Sequence, residues 1–89
     1  MKRPMILLFT ADWCKPCQSM KPIIKEVAEE LPVDYEFIDV TSEDPRIEKY
    51  LVRSTPTIVV EDGGLMKARF VGFQPADILK AAVISPEWG

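Results

Sequence analysis

The chain has 89 residues, 47% of them hydrophobic and 28% charged, with a net charge of −3. That length reads as one domain over residues 1–89, with room for a core but little to spare. The acidic balance argues against nucleic acid, which selects clustered Lys and Arg, and no apolar run approaches the roughly 20 residues of a membrane span.

Lys2-Arg3 precedes an apolar run of five residues, Met5 to Phe9, too short for a signal peptide, so a cytoplasmic location is expected. That continuous run predicts a strand covered on both faces. Further on, Met20, Ile24, Val27 and Leu31 recur at spacings of four, three and four, with Glu26, Glu29 and Glu30 between them. This is the pattern of an amphipathic helix ending near Pro32. Pro22 lies inside it and should bend it, because its ring removes a donor and crowds the preceding turn. Tyr35 to Val40 reads as a second strand, with Tyr35, Phe37 and Asp39 on one face and Glu36, Ile38 and Val40 on the other.

Ser42 or Asp44 can cap a short helix begun by Pro45, with Ile47, Tyr50 and Leu51 facing inward. Thr57 to Val60 and Met66 to Val71 read as two more strands, joined as an antiparallel hairpin by the turn signal Glu61-Asp-Gly-Gly64. Pro75 opens a last helix with Ile78, Leu79, Ala82 and Val83 on its buried side; Trp88 falls in the tail beyond and is assigned no role. The order is β-α-β-α-β-β-α. A strand–helix–strand opening implies a parallel pair with a right-handed crossover.

The two cysteines, Cys14 and Cys17, fall together in Phe9-Thr-Ala-Asp-Trp-Cys-Lys-Pro-Cys17. A zinc site wants four ligands, and this chain has no histidine and no third cysteine, so no metal is expected. An iron–sulfur cluster shared between two chains is no better signalled. A structural staple gains stability with the length of the loop that it closes, and this one closes almost none. In a reducing compartment the remaining reading is a dithiol that opens and closes. It also has a positive case. Cys14 falls where a buried strand gives way to a helix, and free backbone N–H groups at a helix start stabilise a thiolate. Lys15 adds a cation, and Pro16 suits the first helical turn. Cys17, one turn further in, should be more buried, which makes Cys14 the attacking thiol and Cys17 the resolving one.

With these residues in view the chain resembles the thioredoxin-fold dithiol oxidoreductases. Ala11-Asp-Trp-Cys-Lys-Pro-Cys17 is similar to their active-site segment, and Pro22 matches their helix-bending proline. Ser54-Thr-Pro-Thr57 is similar to the loop in which they hold a cis proline facing the disulfide, and Val71-Gly72 followed by Leu79 resembles their final glycine and helix. The resemblance runs from Met5 to about Ile84. It implies a minimal α/β thioredoxin fold: a four-stranded mixed sheet flanked by three helices. It also implies a cis Thr55–Pro56 bond that leaves the Thr55 backbone free to pair with an extended substrate. Trp13, Lys15, Pro16, Thr55, Pro56, Gly72 and Phe73 are the expected substrate-binding residues around the catalytic pair. A monomer without cofactor is expected, recharged by thioredoxin reductase and acting on disulfide-containing proteins, ribonucleotide reductase among the candidate acceptors.

Two departures stand out. Thioredoxins carry an extra strand and helix ahead of the strand that leads to the cysteines, whereas this chain starts directly at that strand, which gives it glutaredoxin size. They also place an acid six residues before the first cysteine, with a companion lysine; here those positions are Leu8 and Phe37. A glutathione-dependent glutaredoxin is the first alternative, but glutaredoxins usually have CPYC and a glycine pair near the last helix, which Val71-Gly-Phe-Gln-Pro-Ala-Asp77 lacks. Gly72-Phe-Gln-Pro75 instead resembles the small glutaredoxin-like redoxins that serve ribonucleotide reductase. A non-catalytic thioredoxin-fold binding module is the second alternative. Such modules commonly lose one cysteine, and this chain has both.

Overall fold

The structure, a computed structural model, describes residues 3–85, so that Trp88 lies outside the described residues. In chain order the elements are β1 (Met5–Thr10), α1 (Lys15–Glu30), β2 (Asp34–Asp39), α2 (Pro45–Lys49), β3 (Thr57–Asp62), β4 (Leu65–Val71) and α3 (Ala76–Ile84). The strands form one sheet in the order β2-β1-β3-β4. β1 runs parallel to β2 and antiparallel to β3, and β3 runs antiparallel to β4. This is the mixed α/β architecture that the sequence predicts.

β1 is buried on both faces because its apolar run leaves neither face polar. Ile6 and Leu8 pack with Met20, Ile24 and Val27 of α1 and with Leu79 and Val83 of α3. Leu7 and Phe9 turn the other way, against Ile38, Tyr50, Val52 and Val59. Each such side chain contributes about 1.5–3 kcal/mol when fully buried. The strand therefore anchors two cores at once. Pro22 lies in the interior of α1, on its exposed side, where its missing N–H leaves the Gln18 carbonyl without a helical donor.

Of the two candidate caps of α2, it is Asp44 that accepts from the Arg46 backbone N–H (2.9 Å). The Arg46 side chain donates to both oxygens of Glu36 on β2 (2.9 and 2.6 Å) and to both of Asp44 (3.0 and 2.8 Å). A planar fork between two carboxylates fixes the start of α2 against the sheet. At the other end of α2 the Arg69 side chain, from β4, donates to the carbonyls of Tyr50 and Leu51. The Tyr50 hydroxyl donates to Glu61. Burial, helped by that carboxylate, pushes the phenol up to about 12. Lys67, also from β4, donates to the Val83 carbonyl in the last turn of α3 (2.7 Å). Among the described residues, no helix is long and apolar enough to cross a membrane.

Two expected core positions are corrected. Leu51 is 59% exposed, because the chain reverses there in the left-handed region (φ 51°) and Val52 takes the buried place instead. Ile78 is 40% exposed: it lies about 100° round α3 from Leu79, outside the stripe marked by Leu79 and Val83. The hairpin turn is also tighter than the four-residue signal suggested. Only Gly63 and Gly64 separate the strands, both at positive φ (63° and 82°), which a side chain would strain.

The Arg46 fork makes a pH prediction. Its hydrogen bonds hold the Asp44 carboxyl down at about 2, from the usual 3.8, and hold Glu36 below its ordinary value. A carboxyl depressed by folding contributes stability above its unfolded value and loses it as pH falls through the folded one. Arg46→Met should therefore be less stable than the parent at pH 7. That difference should shrink between about pH 4 and pH 2, read as urea midpoints across the range.

Candidate functional site

The C-terminal end of β1, an interior strand, delivers Ala11 to Cys14 to one end of the sheet, where the Cys14 N–H donates to the Ala11 carbonyl (3.1 Å) and closes a turn. Cys14 is the N-cap of α1: its backbone is extended (φ −94°, ψ 105°) and its Sγ accepts from the Cys17 backbone N–H at 3.3 Å. Sulfur thus occupies the place usually taken by a Ser or Asp oxygen at a helix start. The two cysteines are joined in a disulfide, with Cα atoms 5.3 Å apart. Cys14 is 7% exposed and Cys17 fully buried. Cys14 thus lies at the positive end of the helix, with Cys17 one turn beneath it.

Around this pair the other residues singled out in the sequence fall as follows. Trp13 is 72% exposed, and Lys15 and Pro16 project from the first turn of α1 into solvent. Among the described residues Lys15 makes no ion pair. The Thr55–Pro56 bond is cis, with Thr55 half-buried and Pro56 buried. The Pro56 carbonyl accepts from the Gly72 N–H (2.8 Å), so the loop after β4 is held against the loop before β3. Gly72 takes a φ of +94°, which only glycine adopts without strain, and Phe73 beyond it is 49% exposed.

The structure adds residues that sequence reasoning missed. A cleft of about 250 Å³ is lined by Trp13, the chain neighbour of Cys14, and by Thr55, Val40, Ile47 and Val52, with Arg53 as its cation. Only Arg53 carried any signal, by adjoining Ser54-Thr-Pro-Thr57. The others come from the residue after β2, from α2 and from the loop that follows it. Behind the pair, the Gln74 N–H donates to the Met20 sulfur (3.3 Å), a contact across 54 residues that no local pattern announces. Leu8 pairs with Phe37 in the β1–β2 register and belongs to the same buried cluster as Met20, one helical turn beyond Cys17. Two lysines of α1, Lys21 and Lys25, hold their ammonium groups 5.7 and 6.0 Å from the Phe37 ring centre. Among the described residues no group of His, Cys, Asp or Glu is arranged to hold a metal.

A family model described as thioredoxin matches residues 1–85. A thioredoxin of Mycoplasmoides gallisepticum is 34% identical over 80 residues, which cover 88% of this chain and 79% of that protein. A chloroplastic thioredoxin of Arabidopsis thaliana is 30% identical over 82 residues, covering 90% of this chain but only 42% of its own length. Among solved structures, a mutant thioredoxin from Halobacterium salinarum superposes with a TM-score of 0.88 at 33% identity, over 94% of this chain and 74% of that one.

Leu8 offers a test of the floor of the site. Leu8→Asp would bury a carboxylate among apolar side chains with no lysine opposite. It should destabilise the protein by about 1–3 kcal/mol or more in urea titrations, and add a second, raised titration to the pH profile of thiol reactivity. A variant as stable as the parent, with an unchanged profile, would place Leu8 away from the site.

Proposed function

Because this chain belongs to the thioredoxin family, we propose that it reduces the disulfides of other proteins through Cys14 and Cys17 and is recharged by thioredoxin reductase. It is a thiol–disulfide oxidoreductase by family, and one observation supports the assignment of roles above the others. The two sulfurs differ in setting, with Cys14 capping α1 and retaining slight exposure (7%) and Cys17 wholly buried one turn below. In the reduced protein the Cys14 thiolate attacks one sulfur of a substrate disulfide, and the other substrate sulfur leaves and takes a proton. The Cys17 thiolate then attacks the Cys14 sulfur, which closes the protein's own disulfide and frees the first substrate sulfur as a thiol. Two electrons have passed to the substrate, and two more from the reductase reopen the bridge.

Docking falls to the rim. Trp13 and Phe73 present exposed aromatic side chains, and the Gly72–Pro56 hydrogen bond brings the loops of Thr55 and Gly72 together. The backbone at Thr55 takes an extended substrate segment as an added strand, with Lys15 and Pro16 flanking it. The working compartment is a reducing one, the cytoplasm, and the acceptors are disulfide-bearing proteins, with ribonucleotide reductase as one candidate.

Two measurements test the reading. Cys17→Ser should trap a mixed disulfide through Cys14 when incubated with a lysate, while Cys14→Ser should trap little; the reverse yield would exchange the roles of the two thiols. Insulin reduction should turn over faster with thioredoxin reductase than with glutathione and its reductase at equal protein concentration. A faster rate with glutathione would assign the chain to glutaredoxin chemistry, and no reduction with either would leave a binding module.

A further inference from the structure

Among the described residues one buried side-chain polar atom has no hydrogen-bond partner: the hydroxyl oxygen of Thr10. Thr10 is 7% exposed and is the last residue of β1. Side chains alternate along a strand, so Thr10 shares a face with Ile6 and Leu8, the face that α1 covers. α1 runs back along β1 from the site. Going towards the site, Ile6, Leu8 and Thr10 therefore climb the strand as Ile24, Met20 and Cys17 climb the helix. This order places Thr10 at the level of Cys17. Cys17 clusters with Ala11 and Cys14, and Val40 packs against them. Leu8, the next residue down on the same face, offers no polar atom.

A buried hydroxyl without a partner is costly, and native structures rarely keep one without reason. In the disulfide form the Cys17 sulfur is neutral and a poor acceptor. In the dithiol form it becomes a thiol or, while resolving the mixed disulfide, a thiolate, which is a strong acceptor in an apolar setting. We propose that the Thr10 hydroxyl donates to the Cys17 sulfur once the bridge opens, so that Thr10 is unsatisfied in the oxidised protein and satisfied in the reduced one. Thr10 then favours the dithiol at equilibrium and stabilises the thiolate that expels the substrate. The proposal rests on the reading of Cys17 as the resolving thiol.

The test is the redox equilibrium of the full chain against dithiothreitol. Dithiothreitol supplies two electrons and two protons to the Cys14–Cys17 bond and closes its own two thiols into a ring disulfide. Thr10→Val keeps the shape and removes the hydroxyl. It should move the equilibrium towards the protein disulfide by about tenfold, equivalent to about 30 mV for a two-electron couple. Thr10→Ser should restore most of that shift, and thermal unfolding should show Thr10→Val stabilised in the oxidised form alone. A Thr10→Val equilibrium equal to the parent's, or a Thr10→Ser variant that behaves like Thr10→Val, overturns the proposal. Should valine prevent folding, Thr10→Ala makes the same deletion and must shift the equilibrium in the same direction. The equilibrium needs no protein substrate: a chain that fails to reduce insulin yet shows the Thr10 shift loses the proposed function and keeps this inference.

Discussion

β1 has hydrogen-bonded neighbours on both edges and packed side chains on both faces, so its position allows no slack. Its partners are Asp34 to Asp39 on one side and Thr57 to Glu61 on the other. A slip of one residue would exchange Ile6 and Leu8 for Leu7 and Phe9 between two differently shaped cores. Because β1 cannot shift, the residues that leave its end cannot either. The turn from Ala11 to Cys14 and the start of α1 inherit their place from a strand held on four sides.

The remaining elements are tied to this strand through their ends. Arg46 fastens the start of α2 to β2, and two cations of β4 close the other helix ends, Arg69 on the carbonyls that follow α2 and Lys67 on the last turn of α3. Helix C-terminal ends leave carbonyls without partners, and the two β4 cations donate to such carbonyls at the negative end of the helix dipole. The opposite device serves at α1. There the cap is a sulfur, which accepts from the Cys17 backbone N–H at the positive end of the helix. One physical feature, the unpaired helix terminus, is thus met by a cation at two helix ends and by a sulfur at a third.

Family membership carries a consequence for the polar groups under the site. Leu8 and Phe37 stand opposite one another where the resemblance leads one to expect an acid and a lysine, and the structure fills the space with apolar packing. Removing both charges together avoids a lone buried ion. It also leaves no charged partner at Leu8 or Phe37 for the buried hydroxyl of Thr10, which has no hydrogen-bond partner in the oxidised protein.

Local chemistry was enough to read much of this molecule from its residues. An unbroken apolar run announces a strand covered twice, glycines at positive φ announce the hairpin turn, and a cysteine pair around Lys15 and Pro16 at a strand-to-helix junction announces its chemistry, since each depends on neighbours in sequence. The same reasoning misplaced Leu51 and Ile78, because inward or outward depends on where the chain reverses and on which stripe of a helix meets the sheet. The cleft below Trp13, the bond from Gly72 to Pro56, the contact of Gln74 with Met20 and the solitary hydroxyl of Thr10 were beyond sequence reading altogether. Burial and hydrogen-bond partnership are properties of what the fold brings together, and these groups meet, or fail to meet, across loops and strands far apart in the chain. Periodicity and spacing determined which elements form and which two sulfurs react; tertiary packing alone decided what surrounds those sulfurs, because desolvation exists only once the chain has closed over them.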